Sequence, residues 1–321
     1  MNKTGLVYHP DYLLHDTGPG HFERATRLEA IMDGLQKDPH YGDLIPIEAR
    51  EASLEAIHRV HDPQYVQHVR KVCEGGYDFL DSPDTPVSPP SYHAALLAAG
   101  GVLAAADAVL SGRIDNAFCA VRPPGHHAER SQGMGFCLFN NVAIAARHLQ
   151  AAHQLSRILI VDWDVHHGNA TQHTFEEDGD VFYFSIHQWP LYPGTGARSE
   201  RGIDQGRGTT LNAPMGPGSG DAEYLHALRK ELDPAARDFQ PQFVLISAGF
   251  DAHQDDPLSA TRVTSQGYAR MTECILQIAS QCCHGRVVSM LEGGYHLPAL
   301  VESVQQHVAV LMGLSPLKPE S

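Results

Sequence analysis

Short apolar runs and longer helical patterns alternate along the whole chain. Runs rich in Val, Ile, Leu and Phe predict strands at residues 5–9, 116–121, 157–162, 181–187, 243–248 and 286–291. Between them, residues 91–110 (SYHAALLAAGGVLAAADAVL) predict a helix that starts after Pro89-Pro90 and stops at Gly112. Residues 141–154, 221–239 and 265–283 predict three more, with a break expected at Pro234 and a stop at Gly285. Strands alternating with helices indicate an α/β fold on a mostly parallel sheet, because parallel neighbours need long crossovers. No stretch reads as a linker and no repeat occurs, so a single domain over 1–321 is expected. Residues 74–90 and 188–220 have no regular period and are rich in Gly, Pro, Asp and Ser. Aperiodic stretches this long in a compact domain tend to carry function.

Composition narrows the class. With 321 residues, 42% apolar and 19% charged, the chain can bury a large core and is not a disordered sequence. Lys+Arg 23 against Asp+Glu 38 gives a net charge of −15. No basic run exceeds Arg70-Lys71 or Arg229-Lys230, so nucleic acids and anionic membranes are not expected partners. A cationic substrate would suit the charge. No apolar run approaches the ~18–20 residues expected of a membrane span, and MNKTGLVYHP lacks the apolar region of a signal peptide. A soluble, cytoplasmic protein is expected. The six cysteines (73, 119, 137, 274, 282, 283) form no C-x-x-C pair and are expected as reduced, core-filling thiols. The 21 histidines are the unusual number.

Ligands of open parallel sheets bind beyond the carboxyl ends of the strands. Four predicted strands end in polar clusters: RPPGHH with His126 and His127, DWDVHHGN with Asp162, Asp164, His166 and His167, GFDAHQDDPL with Asp251 and His253, and EGGYH with Glu292 and Tyr295. In Asp164-x-His166 the two side chains point the same way from extended backbone and converge on one ion, with Asp251 as a third ligand. Two carboxylates and an imidazole leave a coordination position open, as catalytic metal sites do. Zn²⁺ suits such a set, and Fe²⁺, Co²⁺ or Mn²⁺ would also bind it. A loop histidine from the His126-His127 pair can take a proton from an activated water and return it to a leaving amine. Tyr295, after Gly293-Gly294, can donate to a developing oxyanion.

RPPGHHA (122–128), GMGFCLFNN (133–141), DWDVHHGN (162–169), PGTG (193–196), GFDAHQDDPL (249–258) and LEGGY (291–295) together resemble the zinc-dependent histone deacetylase family, nearer its class II branch and the bacterial deacetylase-like amidohydrolases. The likeness runs to about residue 315. It implies a single-domain arginase/deacetylase α/β fold, with Asp164, His166 and Asp251 holding zinc. It also implies His127 as general base and then acid, His126 as its electrostatic partner, and Tyr295 as the group polarising the amide carbonyl. Asp162 would hydrogen-bond His126. A structural K⁺ would be held by Asp162, Asp164, His166, Ser185 and Ile186. Asn169 would support His127 where class I members carry Asp, orienting the ring without raising its pKa as a carboxylate would. Phe136 and Tyr192 match the aromatic walls around an acyl-lysine stem, and Leu258 an apolar rim. Gly135 matches a carbonyl accepting from the substrate amide, and Asp84 a group holding the substrate backbone.

The chain departs from the pattern at HFER (21–24), where His-Pro-Glu-Arg is usual, and at Ala170, where Gly often stands. The His167, His187, His253, His58 and His61 imidazoles are expected to be structural. A two-manganese ureohydrolase would need acids where this chain has Gly168 and His253. A catalytically silent acyl-lysine-binding protein would have lost a ligand, histidine or tyrosine that this chain keeps. An acetylpolyamine amidohydrolase remains the alternative. Asp78, Asp81 and Asp84 would attract a polyamine, but polyamine-selective relatives carry an acidic gatekeeper at the position of Leu258. The expected reaction is removal of acetyl from an N-acetylated lysine or small acetylamine. Rim loops and the frequency of dimers add a homo-oligomer to the expectations.

Overall fold

The apolar runs become strands because, once covered on both faces by helices, they need no polar alternation. In a computed structural model describing residues 1–316, they are β1 (Thr4–Val7), β2 (Ile45–Ile47), β3 (Asn116–Cys119), β4 (Ile158–Asp162), β5 (Val181–Gln188), β6 (Thr210–Met215), β7 (Phe243–Ala248) and β8 (Val287–Leu291). The last five residues of the expected 1–321 domain lie outside the described residues. All eight strands pair in parallel in the order β2-β1-β3-β8-β7-β4-β5-β6. The α/β expectation is therefore met by a single domain with an all-parallel sheet flanked by helices.

Two strands escape the sequence pattern. β2 is a three-residue edge strand containing Pro46, and β6 is the opposite edge, with Asn212 and Pro214 inside it. An edge tolerates proline because one side of the strand needs no donor. β6 thus corrects the reading of 188–220 as wholly aperiodic. Glu74 ends the helix Pro63–Glu74, and the residues 75–90 lack regular structure apart from a bridge between Phe79 and Pro86.

The helix Ser91–Leu110 has the expected ends. By length and composition it is apolar enough to cross a membrane, contrary to the sequence reading, because alanine and glycine dilute no charge into it. Of its most apolar window, 78% is buried inside the protein, so it serves as the core helix under the sheet. The helix Asn141–His153 begins where the Asn140 side chain accepts from Ala143 N–H at 3.0 Å. Ser265–Cys283 begins at a Thr264 cap, 3.0 Å from Gly267 N–H, and ends with His284 in the left-handed conformation before Gly285. The break expected at Pro234 does not occur. The chain runs from Asp221–Ala227 through a widened turn, Leu228–Leu232, into Asp233–Phe239, and the wide turn absorbs the proline.

The four strands that carry polar clusters, β3, β8, β7 and β4, are the four consecutive strands at the centre of the sheet. Their carboxyl ends open onto one crevice, which is where the chemistry assembles.

Candidate active site

The segment after β4 carries Asp164 and His166, and the segment after β7 carries Asp251. Their ligand atoms lie within 4.8 Å of one another and all three residues are buried. His166 Nδ1 is 3.0 Å from Asp164 Oδ1 and 3.2 Å from Asp251 Oδ2. The outer lone pairs are tied down by backbone: Gly293 N–H donates to Asp164 Oδ2 at 2.8 Å, and Val165 N–H to Asp251 Oδ1 at 2.9 Å. Asp251 Oδ2 is buried and accepts no hydrogen bond. An unpartnered buried carboxylate oxygen is costly, and burial with the Asp164 charge pushes the Asp251 carboxyl upward. A shared cation removes both penalties. Gly293 leaves the space for it, since a Cβ there would stand 2.6 Å from Asp164 Oδ2. The donor set fits a divalent metal with N/O preference.

The turn after β3 brings His126 and His127 beside this trio. Glu292, at the end of β8, holds that turn by accepting from Gly125 N–H at 2.7 Å and His126 N–H at 3.3 Å, while Ser247 Oγ donates to its other oxygen at 3.0 Å. Burial raises the Glu292 carboxyl to about 7. His126 Nδ1 meets Asp162 Oδ2 at 3.0 Å and its Nε2 is 3.8 Å from Asp164 Oδ1. Burial disfavours charge on His126, but these carboxylates outweigh it and lift its pKa to about 10. His127 Nδ1 meets Asn169 Oδ1 at 2.7 Å. Burial, followed by the charges of His126 and His166, holds His127 well below the usual histidine range.

Tyr295 stands opposite. Its N–H donates to Asp256 Oδ2 at 2.7 Å, and the Arg27 guanidinium lies 5.0 Å from its ring centroid. Arg27 also donates to Glu292 O and Gly294 O, each at 2.6 Å, clamping the turn that carries the tyrosine. Glu23 in turn pairs with Arg27 at 3.2 Å and with Arg122 Nη2 at 2.8 Å. Burial and the Asp251 charge keep the Tyr295 phenol well above its usual range, so it stays protonated and able to donate.

His126, His127, His166 and Tyr295 line a cavity of about 290 Å³. Its walls include Gly135, Phe136, Leu191, Tyr192 and Leu258, with Asp84 at its edge, so all five expected pocket residues meet there. Phe136 adopts φ 71°, a conformation strained for a side-chain-bearing residue, and its ring centroid lies 6.0 Å from that of Tyr295. Tyr192 crosses the His127 ring at 90° and 5.1 Å. Asp84 Oδ2 accepts from Gly135 N–H and Tyr192 O–H, each at 3.3 Å, and Asp81 Oδ2 from Gly133 N–H at 2.7 Å.

Among the other expected residues, Asp162 Oδ2 also accepts from Tyr183 O–H at 3.2 Å, and Asp162 sits opposite Ser185 in the β4–β5 register, beside Ile186. His167 is held by Thr195 and Gln172, His187 by Ser185 and Gly196, His61 by Glu129 and Asn140, and His253 contacts Asp255 and Ser265. None of these four lines the cavity. Sequence reasoning gave no role to Arg27, Glu23, Asp256, Glu292 or Glu129. Glu292 carried a signal as a carboxylate at a strand end, and Glu23 and Asp256 stand inside the motifs HFER and GFDAHQDDPL.

The whole arrangement has known counterparts. The family model described as "Histone deacetylase domain" matches residues 21–311. The chain is 42% identical to a "Probable deacetylase" of Archaeoglobus fulgidus over 91% of its own length and 81% of that protein. It is also 42% identical to "Polyamine deacetylase HDAC10" of Homo sapiens, over 97% of its length, and spans about half of that relative, 48%. Among solved structures, the one titled "Crystal Structure of HDA15 HD domain" matches with a TM-score of 0.93 and 40% identity, covering 98% of this chain and 90% of that one. With the fold, the motifs and the sequence agreeing over nearly its full length, the chain belongs to the histone deacetylase domain family.

Proposed function

We propose that the protein is a zinc-dependent amidohydrolase that removes acetyl from N-acetylated amines, with acetyl-lysine side chains as the favoured substrate. The observation that carries this reading is the convergence of one three-ligand cluster, one histidine pair and one tyrosine at the base of a single apolar cavity. Zn²⁺ held by Asp164, His166 and Asp251 would supply a Lewis acid that polarises a carbonyl and acidifies a water molecule. His127 Nε2 takes the proton from the attacking water as the water oxygen bonds to the amide carbon. Tyr295 donates its O–H to the carbonyl oxygen as negative charge develops there. The C–N bond then breaks, His127 returns its proton to the departing amine nitrogen, and acetate leaves. His126 stays charged beside Asp162 and supports the negative charge from one side. Phe136, Tyr192, Leu191 and Leu258 exclude water and grip the stem of the amine. A K⁺ ion held by Asp162, Asp164, His166, Ser185 and Ile186 belongs to the same reading, which the burial of Asp162 next to Ser185 supports.

The polyamine alternative draws support from the HDAC10 relative. Against it stand the uncharged Leu258 wall and the backbone N–H donors that already occupy Asp81 and Asp84. The test is kcat/KM of the zinc-loaded protein on an acetyl-lysine peptide and on an N-acetylated polyamine, side by side. A preference of about a hundredfold for the peptide, worth about 2.7 kcal/mol of transition-state binding, supports lysine deacetylation. The reverse preference makes the protein a polyamine deacetylase, and turnover of neither removes the substrate assignment.

A further inference from the structure

We propose that Glu129 is a positioning residue for His127, acting through the Asn169 amide to decide which ring nitrogen of His127 carries the proton. The inference rests on the reading of His127 as the base. Asn169 Oδ1 is 2.7 Å from His127 Nδ1, and Asn169 Nδ2 is 2.5 Å from Glu129 Oε1. An asparagine side chain has nearly equal ends, and its partners decide which way it faces. A carboxylate only accepts, so the end that meets Glu129 is the NH₂. The second neighbour of that NH₂ is Met134 Sδ at 3.6 Å, another acceptor.

The orientation then passes inward. With its oxygen toward His127, Asn169 accepts, so His127 carries its proton on Nδ1 and leaves Nε2 bare toward the cavity. With the amide turned over, the NH₂ would face Nδ1, the imidazole proton would move to Nε2, and the nitrogen facing the substrate could no longer accept. Nothing at His127 itself forbids that state. Glu129 forbids it, because the overturned amide would set its oxygen against the half-buried carboxylate.

Glu129 is built to hold this position. Its backbone N–H donates to Gln132 O at 2.9 Å, its carbonyl meets His61 Nδ1 at 2.9 Å, and its carboxylate also meets His173 Nδ1 at 2.9 Å. The same carboxylate lines a polar surface cavity of about 570 Å³, so it can be changed without opening the core. A bland ion pair with His173 would account for the outer contact alone and would leave His127 untouched.

Five variants and one spectroscopic measurement test the assignment. Glu129→Gln can still accept from Asn169 and should keep kcat within about threefold. Glu129→Leu cannot, and should lower kcat by about 10- to 100-fold with KM and bound metal unchanged. Asn169→Asp sets two carboxylates against each other and should be impaired alone, whereas Asn169→Asp combined with Glu129→Gln exchanges donor and acceptor and should recover most of the loss. His173→Gln should remain within about twofold of the parent. Independently of turnover, two-bond ¹H–¹⁵N spectra of ¹⁵N-histidine protein, with His127 assigned by difference, should show the proton on Nδ1 in the parent and on both nitrogens in Glu129→Leu. An unchanged His127 signature in Glu129→Leu overturns the proposal whatever the activity, as does full turnover in that variant or no recovery in the combined one. A parent that turns over no acetylamine but shows the tautomer shift would refute the deacetylase reading and leave this one standing.

Discussion

His126 and His127 are neighbours in the chain, their ring centroids are 4.0 Å apart, and their partners drive them to opposite protonation states. The Asp162 carboxylate holds His126 as a cation with a pKa of about 10, while burial and that same cation keep His127 neutral beside an amide. Two buried imidazolium ions at this separation would repel strongly, so one charge excludes the other. The neutral ring is the one that can accept a proton.

This division of labour predicts unequal damage. His127→Asn should lower kcat by about 10²- to 10⁴-fold, the usual worth of a positioned general base. His126→Asn should cost less, because the base remains and only a nearby charge is lost. Steady-state kinetics of the two zinc-loaded variants decides the matter, and equal losses would contradict separate roles.

Tyr295→Phe removes one hydroxyl and nothing else from the cavity wall. The variant should keep its metal and its melting temperature while kcat falls by about 10²- to 10³-fold, the cost of one oxyanion donor. Turnover within a few-fold of the parent would take Tyr295 out of the reaction.

Asp251→Asn replaces the unpartnered carboxylate oxygen by a group that binds metal weakly. Zinc affinity should fall by at least about tenfold in a competition titration with a chromophoric chelator. The metal-free variant should meanwhile match or exceed the metal-free parent in stability, because the buried charge next to Asp164 is gone. Unchanged zinc affinity would contradict the ligand assignment.

Leu258 offers an apolar edge to the cavity. Leu258→Glu places a carboxylate there and should move the ratio of kcat/KM for N-acetylated polyamine over acetyl-lysine peptide upward by about tenfold, the scale of one charge pair in a partly screened site. An unmoved ratio would place the choice of substrate in the rim loops instead.

Stability should fall on mild acidification. Burial lowers the pKa of His61 to about 4 and of His307 to about 3. Both folded values lie below the unfolded one of about 6.5, so their contribution is complete above that pH and is lost as the pH falls toward the folded values. Each should cost about 2 kcal/mol between pH 7 and pH 5. Urea midpoints at the two pH values measure the loss. In His307→Gln, which can keep the bonds to Thr272 and Ser289, the decline should be smaller by one histidine's share. Because the raised Glu292 carboxyl works in the opposite direction, the comparison with the parent decides: a decline in His307→Gln equal to the parent's would refute the argument.

The sequence revealed what local pattern encodes. The central strands are continuous apolar runs, and β7 is found with its expected limits, as are the helices Ser91–Leu110 and Ser265–Cys283. The clusters at the strand ends announced Asp164, His166, Asp251, His126, His127 and Tyr295. What stayed hidden depends on distance through space. Arg27 reaches the turn before Tyr295 across 267 positions of chain, and Asp256 meets the Tyr295 amide from another loop. Glu129 carries no signal in the sequence, and only the folded chain sets it against Asn169. The edge strands β2 and β6 were missed because proline and asparagine mask a pairing that needs only one side.

β8 lies between β3 and β7. Remove it and the sheet falls into two pieces, one carrying the histidine pair and the other Asp164, His166 and Asp251. Yet residues 287–291 follow the other seven strands in chain order. Until β8 has been made, the two halves of the sheet have no strand to join them, and contacts this remote in sequence form late and slowly. Assembly of the catalytic centre is thereby tied to the final strand insertion. A chain stalled or cleaved before that strand carries the ligands and the histidines but no reaction centre.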